Sequence, residues 1–245
     1  MKAVFLDKDG TLIEDVPYNV DPGRITLKAG AREGVCALAA AGYKIAVVTN
    51  QSGIARGLFE PRALGPVAIR LQMMLGVQFA GFFHCPHHPE GVVPSYAMTC
   101  TCRKPQPGMI LNAARAIGAD PGQSWMIGDI LHDVEAGNRA GCRTVLIDNG
   151  GETEWADGQY RRPTFIARDL AEAARIVLDA DWQSSAPARG GIAREAGDGG
   201  VSPADRGCHP STIRCANGPP PPTGEDLISP VLKRTAGLPT EGVAA

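Results

Sequence analysis

Runs rich in Val, Ile and Phe alternate with alanine-rich amphipathic stretches over the first three quarters of the chain, and nothing else in the sequence limits the fold as much. The strand-like runs are KAVFL (2–6), YKIAVVT (43–49), VQFAGFFHC (77–85), SWMIG (124–128), RTVLID (143–148) and TFIA (164–167). Between them lie the helix-like stretches AREGVCALAAAG (31–42), PRALGPVAIRLQMML (61–75), PGMILNAARAIG (107–118), HDVEAGNRAG (132–141) and RDLAEAARIVLD (168–179). Strands that read as unbroken apolar runs are buried on both faces, and strand–helix alternation supplies the helices that bury them. The expectation is an α/β fold, a doubly wound (Rossmann-like) parallel sheet with helices on both faces. Gly42, Gly118 and Gly141 stand where helix C-caps belong, while Gly65-Pro66 interrupts the stretch 61–75.

Composition changes after Trp182. Residues 183–245 contain no aromatic residue and hold 9 prolines and 10 glycines, a level at which an extended, disordered segment is expected rather than a core. The predicted organisation is one compact domain over 1–182 and a Pro/Gly-rich tail over 183–245, in which Cys208, His209 and Cys215 are read as bystanders. A net charge of -2 argues against a general nucleic-acid binder. No apolar run reaches the roughly 18–20 residues of a membrane span, and the apolar run before Asp7 is too short for a signal-peptide core. A cytoplasmic protein with no membrane or nucleic-acid partner is expected, and with no evident interface stripe, a monomer.

Polar residues collect at one end of this predicted sheet. The first strand ends in Asp7-Lys8-Asp9, the second in Thr49-Asn50-Gln51-Ser52-Gly53, the third in His84-Cys85-Pro86-His87, and the fourth in Gly128-Asp129, with Asp133 just beyond. Ligands of open α/β sheets bind beyond the carboxyl ends of the strands. Asp7 and Asp9, with Asp129 or Asp133, offer hard oxygen ligands suited to Mg²⁺, a cation that would also offset the repulsion between neighbouring carboxylates. Thr49 and the amides of Asn50 to Gly53 can cradle an anion. Arg103 and Lys104 precede a helix expected to begin near Pro107, where a phosphate would be favoured.

The third strand runs into HCPHHPEGVVPSYAMTCTCRKP. Cys85, His87, Cys100 and Cys102 are three thiolates and one imidazole, a closed tetrahedral set for structural zinc with no position left for water. Such an ion would staple a long loop beside the site and position Arg103 and Lys104. His84 and His88 are read as loop or solvated histidines.

The succession FLDKDGT, VVTNQSG, RKP and GDILHD resembles the four motifs of the haloacid dehalogenase-type phosphohydrolases, over nearly all of residues 1–180. The resemblance implies that Asp7 is a nucleophile forming an aspartyl-phosphate and that Asp9 is the general acid and base. It implies that Thr49 and Lys104 hold the phosphoryl oxygens. Mg²⁺ is expected on Asp7, the backbone carbonyl of Asp9, and Asp129, with Asp133 in support. The zinc loop narrows the resemblance to the histidinol-phosphatase-like branch. TNQSGIARG (49–57), CPHHPEG (85–91) and the long loop are most similar to its heptose-1,7-bisphosphate phosphatases, which supply precursors of nucleotide-activated heptoses and of lipopolysaccharide. On that resemblance Arg56 and Arg103 help recognise a sugar bisphosphate, and Asn50, Gln51 and Ser52 shape the pocket floor. Many such enzymes carry a lysine directly after the fourth motif's Gly-Asp, where this chain has Ile130. The segment 14–30 lines the entrance and is too short for a large cap domain.

Other readings stand beside this one: histidinol phosphate or another sugar or polyol phosphate as substrate, a catalytically retired zinc scaffold, and a phospho-accepting receiver domain. A receiver's acceptor aspartate ends its third strand, where this chain has the Cys/His segment, and a receiver has no use for Asp9.

Overall fold

Alternation within each strand decides what covers the two faces of the sheet. The computed structural model describes residues 1–185, so the expected tail lies almost wholly outside the described residues. The elements are β1 (Ala3–Leu6), α1 (Ala31–Ala40), β2 (Lys44–Asn50), α2 (Leu64–Leu75), β3 (Gly81–Cys85), α3 (Gly108–Ile117), β4 (Trp125–Gly128), α4 (Leu131–Ala140), β5 (Arg143–Ile147), β6 (Phe165–Ala167) and α5 (Leu170–Ser185). Val4 and Leu6 of β1 join Ile45, Val47 and Ile127 in a core closed by α1, α2 and α5. Ala3 and Phe5 face the other way, with Ala46, Val48 and Met126, onto α3 and α4. Period-two alternation in a parallel strand thus feeds two cores at once.

All strands pair in parallel, in the order β3-β2-β1-β4-β5-β6. The chain winds outward from β1 in one direction through β2 and β3, then in the other through β4 to β6. The reversal opens a crevice beyond the carboxyl ends of β1 and β4, the place where such sheets bind ligands. Both the doubly wound sheet and the absence of a domain-sized cap among the described residues agree with the sequence. The segment after β1 is a short strap instead. Ile13 bridges Leu27 in antiparallel fashion, and Asp21 caps a single 3-10 turn over Pro22–Arg24.

Two boundaries moved for local reasons, and one expected interruption left its helix whole. The strand expected from Val77 begins only at Gly81, because Gln72 Oε1 takes the Phe79 amide at 2.7 Å. Pro66 sits in the first turn of α2, where its missing amide hydrogen costs little, so the helix survives it. Helix α5, expected over 168–179, continues to at least Ser185, the last described residue. Asp181, which reads as a poor helix residue, accepts from Tyr43 Oη at 2.5 Å and Lys2 Nζ at 2.7 Å and pairs with Arg143. Those partners outweigh its burial and hold the carboxyl down at about 2.

Candidate active site

The mouth of β1 is built to bring carboxylates together. The Asp7 amide continues the ladder to the Ile127 carbonyl at 3.0 Å, which fixes Asp7 against β4. Gly10 follows with φ +82°, and a Cβ there would lie 2.1 Å from Asp129 Oδ2. Only glycine supplies both that backbone and that clearance. Thr11 Oγ1 then donates to Asp129 Oδ1 at 2.9 Å. Gly128 is equally constrained, since a Cβ would meet the Asp133 side chain at 2.3 Å. Asp133, in the first turn of α4, accepts from the Ile130 amide at 3.3 Å and is wholly buried.

Asp7, Asp129 and Asp133 each turn a carboxylate oxygen to a common point, within 4.8 Å of one another. Lys104 Nζ lies 2.5 Å from Asp7 Oδ1 and 2.6 Å from Asp133 Oδ1, and donates to the Val48 carbonyl at 2.9 Å. Asn50 clasps the Lys104 backbone from both sides: its Nδ2 donates to the Lys104 carbonyl at 3.0 Å and its Oδ1 accepts the Lys104 amide at 3.1 Å. The lysine is fully buried. Burial alone would lower its pKa, but Asp133 and Asp7 hold it above the ordinary lysine value. One ammonium does not neutralise three carboxylates. Burial, then Asp7 and Asp133, push Asp129 up to about 7, and burial pushes Asp133 up to about 6 against the field of Lys104. Buried acids this close to one another fit a divalent cation of the Mg²⁺ type.

Asp9 stands apart from that point. Its carboxylate pairs with buried Lys8 and accepts from Gln51 Nε2 at 3.1 Å. Burial raises its pKa, Lys8 opposes the rise, and Asp7 adds to it. Gln51 Nε2 also donates to Thr49 Oγ1 at 2.8 Å, so Thr49, Gln51 and Asp9 form one hydrogen-bonded row. Of the magnesium set expected from sequence, the structure brings Asp7 and Asp129 together. Asp133 supplies the third carboxylate of the cluster, with the Asp9 carboxylate turned to Lys8 and Gln51. A cleft of about 430 Å³ opens over Asp7, Asp9, Thr49, Asn50, Lys104 and Asp129.

The Cys/His residues also assemble. Cys102 Sγ lies 3.3 Å from Cys85 Sγ, Cys100 Sγ and His87 Nδ1, and Cys85 Sγ lies 3.6 Å from Cys100 Sγ and 3.7 Å from His87 Nδ1. A tetrahedral ion with metal–sulfur bonds near 2.3 Å would separate its ligands by about 3.8 Å, so the four atoms fit zinc with small adjustment. Cys85, Cys100 and Cys102 are free thiols.

Other expected residues sit elsewhere. Arg103 donates to the His87 carbonyl at 3.5 Å, and Arg56 reaches His88 Nε2 at 3.3 Å; neither arginine lines the cleft. Ser52 does not line it either; its carbonyl accepts the Arg56 amide at 3.0 Å. His84, inside the strand run 77–85 but read as a loop or solvated histidine, lies in β3, where burial and then His87 push it down to about 4. The sequence reading missed Thr11, Asn149 and Glu152. Asn149 Nδ2 donates to the Gly10 carbonyl at 2.8 Å, and Glu152 Oε2 accepts the Leu131 amide at 2.5 Å, at the start of α4. Asn149 follows β5, so the rule applied to the first four strands would have found it at the fifth.

Residues 101–173 match the family described as HAD-hyrolase-like. A D-glycero-beta-D-manno-heptose-1,7-bisphosphate 7-phosphatase of Pasteurella multocida (strain Pm70) is 35% identical over 179 residues, covering 72% of this chain and 96% of that enzyme. The enzyme of the same name from Photorhabdus laumondii is 41% identical over 178 residues, 71% of this chain and 94% of that enzyme. The chain belongs to this heptose-bisphosphate phosphatase family. A crystal structure of the D,D-heptose 1.7-bisphosphate phosphatase from B. bronchiseptica, complexed with magnesium and phosphate, superposes with a TM-score of 0.63 at 32% identity, over 74% of this chain and 99% of that one. Among the described residues no helix is long and apolar enough to cross a membrane.

Proposed function

We propose that the chain hydrolyses the 7-phosphate of D-glycero-D-manno-heptose 1,7-bisphosphate, using Mg²⁺ at the carboxylate cluster and carrying structural Zn²⁺ in its loop. The observation that carries the reading is the Lys104 ammonium seated between Asp7 and Asp133, at 2.5 and 2.6 Å, under an open cleft. An immobilised cation touching a carboxylate both orients that carboxylate and stands ready for phosphoryl oxygens. The similarity of the whole domain to the Pasteurella and Photorhabdus enzymes supports the substrate.

In this reading an Asp7 oxygen attacks phosphorus while the bond to the sugar oxygen breaks, and Asp9 gives its proton to that leaving oxygen. Asp9 then takes a proton from the water that cleaves the aspartyl-phosphate. A carboxyl raised by burial suits both duties, since it is protonated for the first step more readily than an exposed one. Lys104 and Thr49 hold the phosphoryl oxygens as charge redistributes. Asp7 and Asp129, with the backbone of Asp9 and the adjacent Asp133, would hold Mg²⁺, which when bound screens the phosphate from the carboxylates. Cys85, His87, Cys100 and Cys102 would hold zinc and fix the loop that ends at Arg103. Asn50 and Gln51 act through Lys104, Thr49 and Asp9, whose positions they set.

The test is phosphate release with Mg²⁺ from heptose 1,7-bisphosphate, histidinol phosphate and a panel of sugar and polyol phosphates, run beside Asp7→Asn. Selective release from the heptose bisphosphate, lost in the variant, is expected. Selective release from another phosphate would replace the substrate, and release that survives the substitution would remove the mechanism.

A further inference from the structure

The cleft is short of cations where a bisphosphate needs them. Five carboxylates line it, those of Asp7, Asp9, Glu14, Asp15 and Asp129, against the two ammonium groups of Lys28 and Lys104. Lys104 is buried and already shared between Asp7 and Asp133. Arg56 and Arg103 are turned to the Cys/His loop, and the position after Asp129 is the uncharged Ile130. Lys28 is the half-exposed cation of the cleft wall, 27% accessible, with its Nζ 2.9 Å from Glu14 Oε2.

Lys28 is also firmly mounted. Its amide donates to the Leu12 carbonyl at 3.1 Å and its carbonyl accepts the Ala31 amide at 3.1 Å, at the start of α1. Glu14 is tied to the same ladder, through the Thr26 carbonyl at 2.9 Å. Their ion pair is partly solvated, and such pairs contribute little stability, so the ammonium can change partners at small cost.

We infer that Lys28 is a specificity residue: it takes the anionic group of the substrate that is not hydrolysed, leaving Glu14 to do so. The inference rests on the proposed bisphosphate substrate. Lys104 serves the phosphate under attack; Lys28, on the strap after β1, serves the other end and compensates for the missing cation at Ile130. A contact made equally before and during the reaction acts on KM rather than kcat.

The experiment compares kcat/KM for heptose 1,7-bisphosphate with kcat/KM for p-nitrophenyl phosphate, which has no second anion, in the full chain and in Lys28→Gln and Lys28→Arg. The ratio is expected to fall about tenfold in Lys28→Gln, through KM for the bisphosphate, and to recover at least half its value in Lys28→Arg. An unchanged ratio in Lys28→Gln overturns the inference, as does an equal loss on both substrates, which would mark a structural role. If the unsubstituted chain shows no preference for the bisphosphate, the substrate reading fails first, a result visible before any variant is made.

Discussion

Two clusters of ligating side chains lie at either end of the dipeptide Arg103-Lys104, and their contrast explains what each is for. Around Cys102, soft donors approach to 3.3–3.7 Å and stabilise one another. The hydrogen bond between Cys102 and Cys85 holds the Cys102 thiol down at about 5 and pushes the Cys85 thiol up. Around Lys104, hard oxygens converge without enough positive charge, and two of the acids are pushed up to about 7 and about 6. The first set is complete in itself, four donors for a four-coordinate ion. The second is unbalanced and opens into a cleft, which is how a site waiting for a cation and an anionic substrate should look.

If that contrast is right, the clusters fail in different ways. Asp7→Asn keeps the shape of the carboxylate cluster and removes its nucleophile, so turnover should fall on the order of a thousandfold or more while the melting temperature holds or rises. The thermal transition matters as much as the rate, because relief of carboxylate repulsion is expected to offset the lost contact with Lys104. A large fall in stability would mean that Asp7 is a structural partner of Lys104. Cys102→Ser should do the reverse. Bound zinc, counted by elemental analysis, should drop from one per chain, and the melting temperature should fall by about 10 °C. Activity should then decline through displacement of Lys104. Full stability with no zinc in either protein would break the contrast.

Acidity gives a gentler probe of the same difference. In metal-free protein, Asp129 and Asp133 titrate near 7 and 6 against an ordinary value of 3.8. Between about pH 4 and pH 7 these two folded acids hold protons that the unfolded chain has released, so their contribution to stability falls as pH rises, against the opposite contribution of His84 and Cys102. Mg²⁺ is expected to raise the melting temperature by about 5 °C more at pH 8 than at pH 5, because it needs the carboxylates ionised. Calorimetry at both pH values, with and without Mg²⁺, reads this directly; an Mg²⁺ increment no larger at pH 8 than at pH 5 would show the acids are not strained.

The fold and both clusters were legible for a common reason. Strand periodicity and helix caps are local, and the ligating residues sit at strand ends that a parallel sheet must gather on one edge. Asp7, Asp129, Cys85 and His87 are found that way, while Cys100 and Cys102 were found by their ligand spacing and Lys104 by its place before α3. What escaped was decided by side chains reaching across the chain. No pattern announces that Gln72 will take the Phe79 amide and delay β3, or that Lys2, Tyr43 and Arg143 will carry α5 past Asp181. Arg56 and Arg103 carry the right charge for a phosphate, but which way a long side chain turns depends on loop carbonyls and histidines that sequence does not locate.

Ile130 offers the smallest and most discriminating change. It lines the cleft beside Asp129 and caps α4 through its backbone alone, so a lysine there leaves the turn intact. Its ammonium would enter a wall rich in carboxylates and reduce the imbalance that separates this cluster from the sulfur one. Ile130→Lys should lower KM for the bisphosphate about threefold with kcat little altered, since the new charge meets bound substrate before and during the reaction alike. It should also shrink the extra gain from Mg²⁺ at pH 8 over pH 5, because an added cation favours ionised Asp129. Combined with Lys28→Gln, it should recover part of the lost selectivity, as two cations serving one anion are partly redundant. If Ile130→Lys instead raises KM, the ammonium has paired with Asp129 and competes with the metal, and the carboxylates must then be counted as ligands fully committed before substrate arrives.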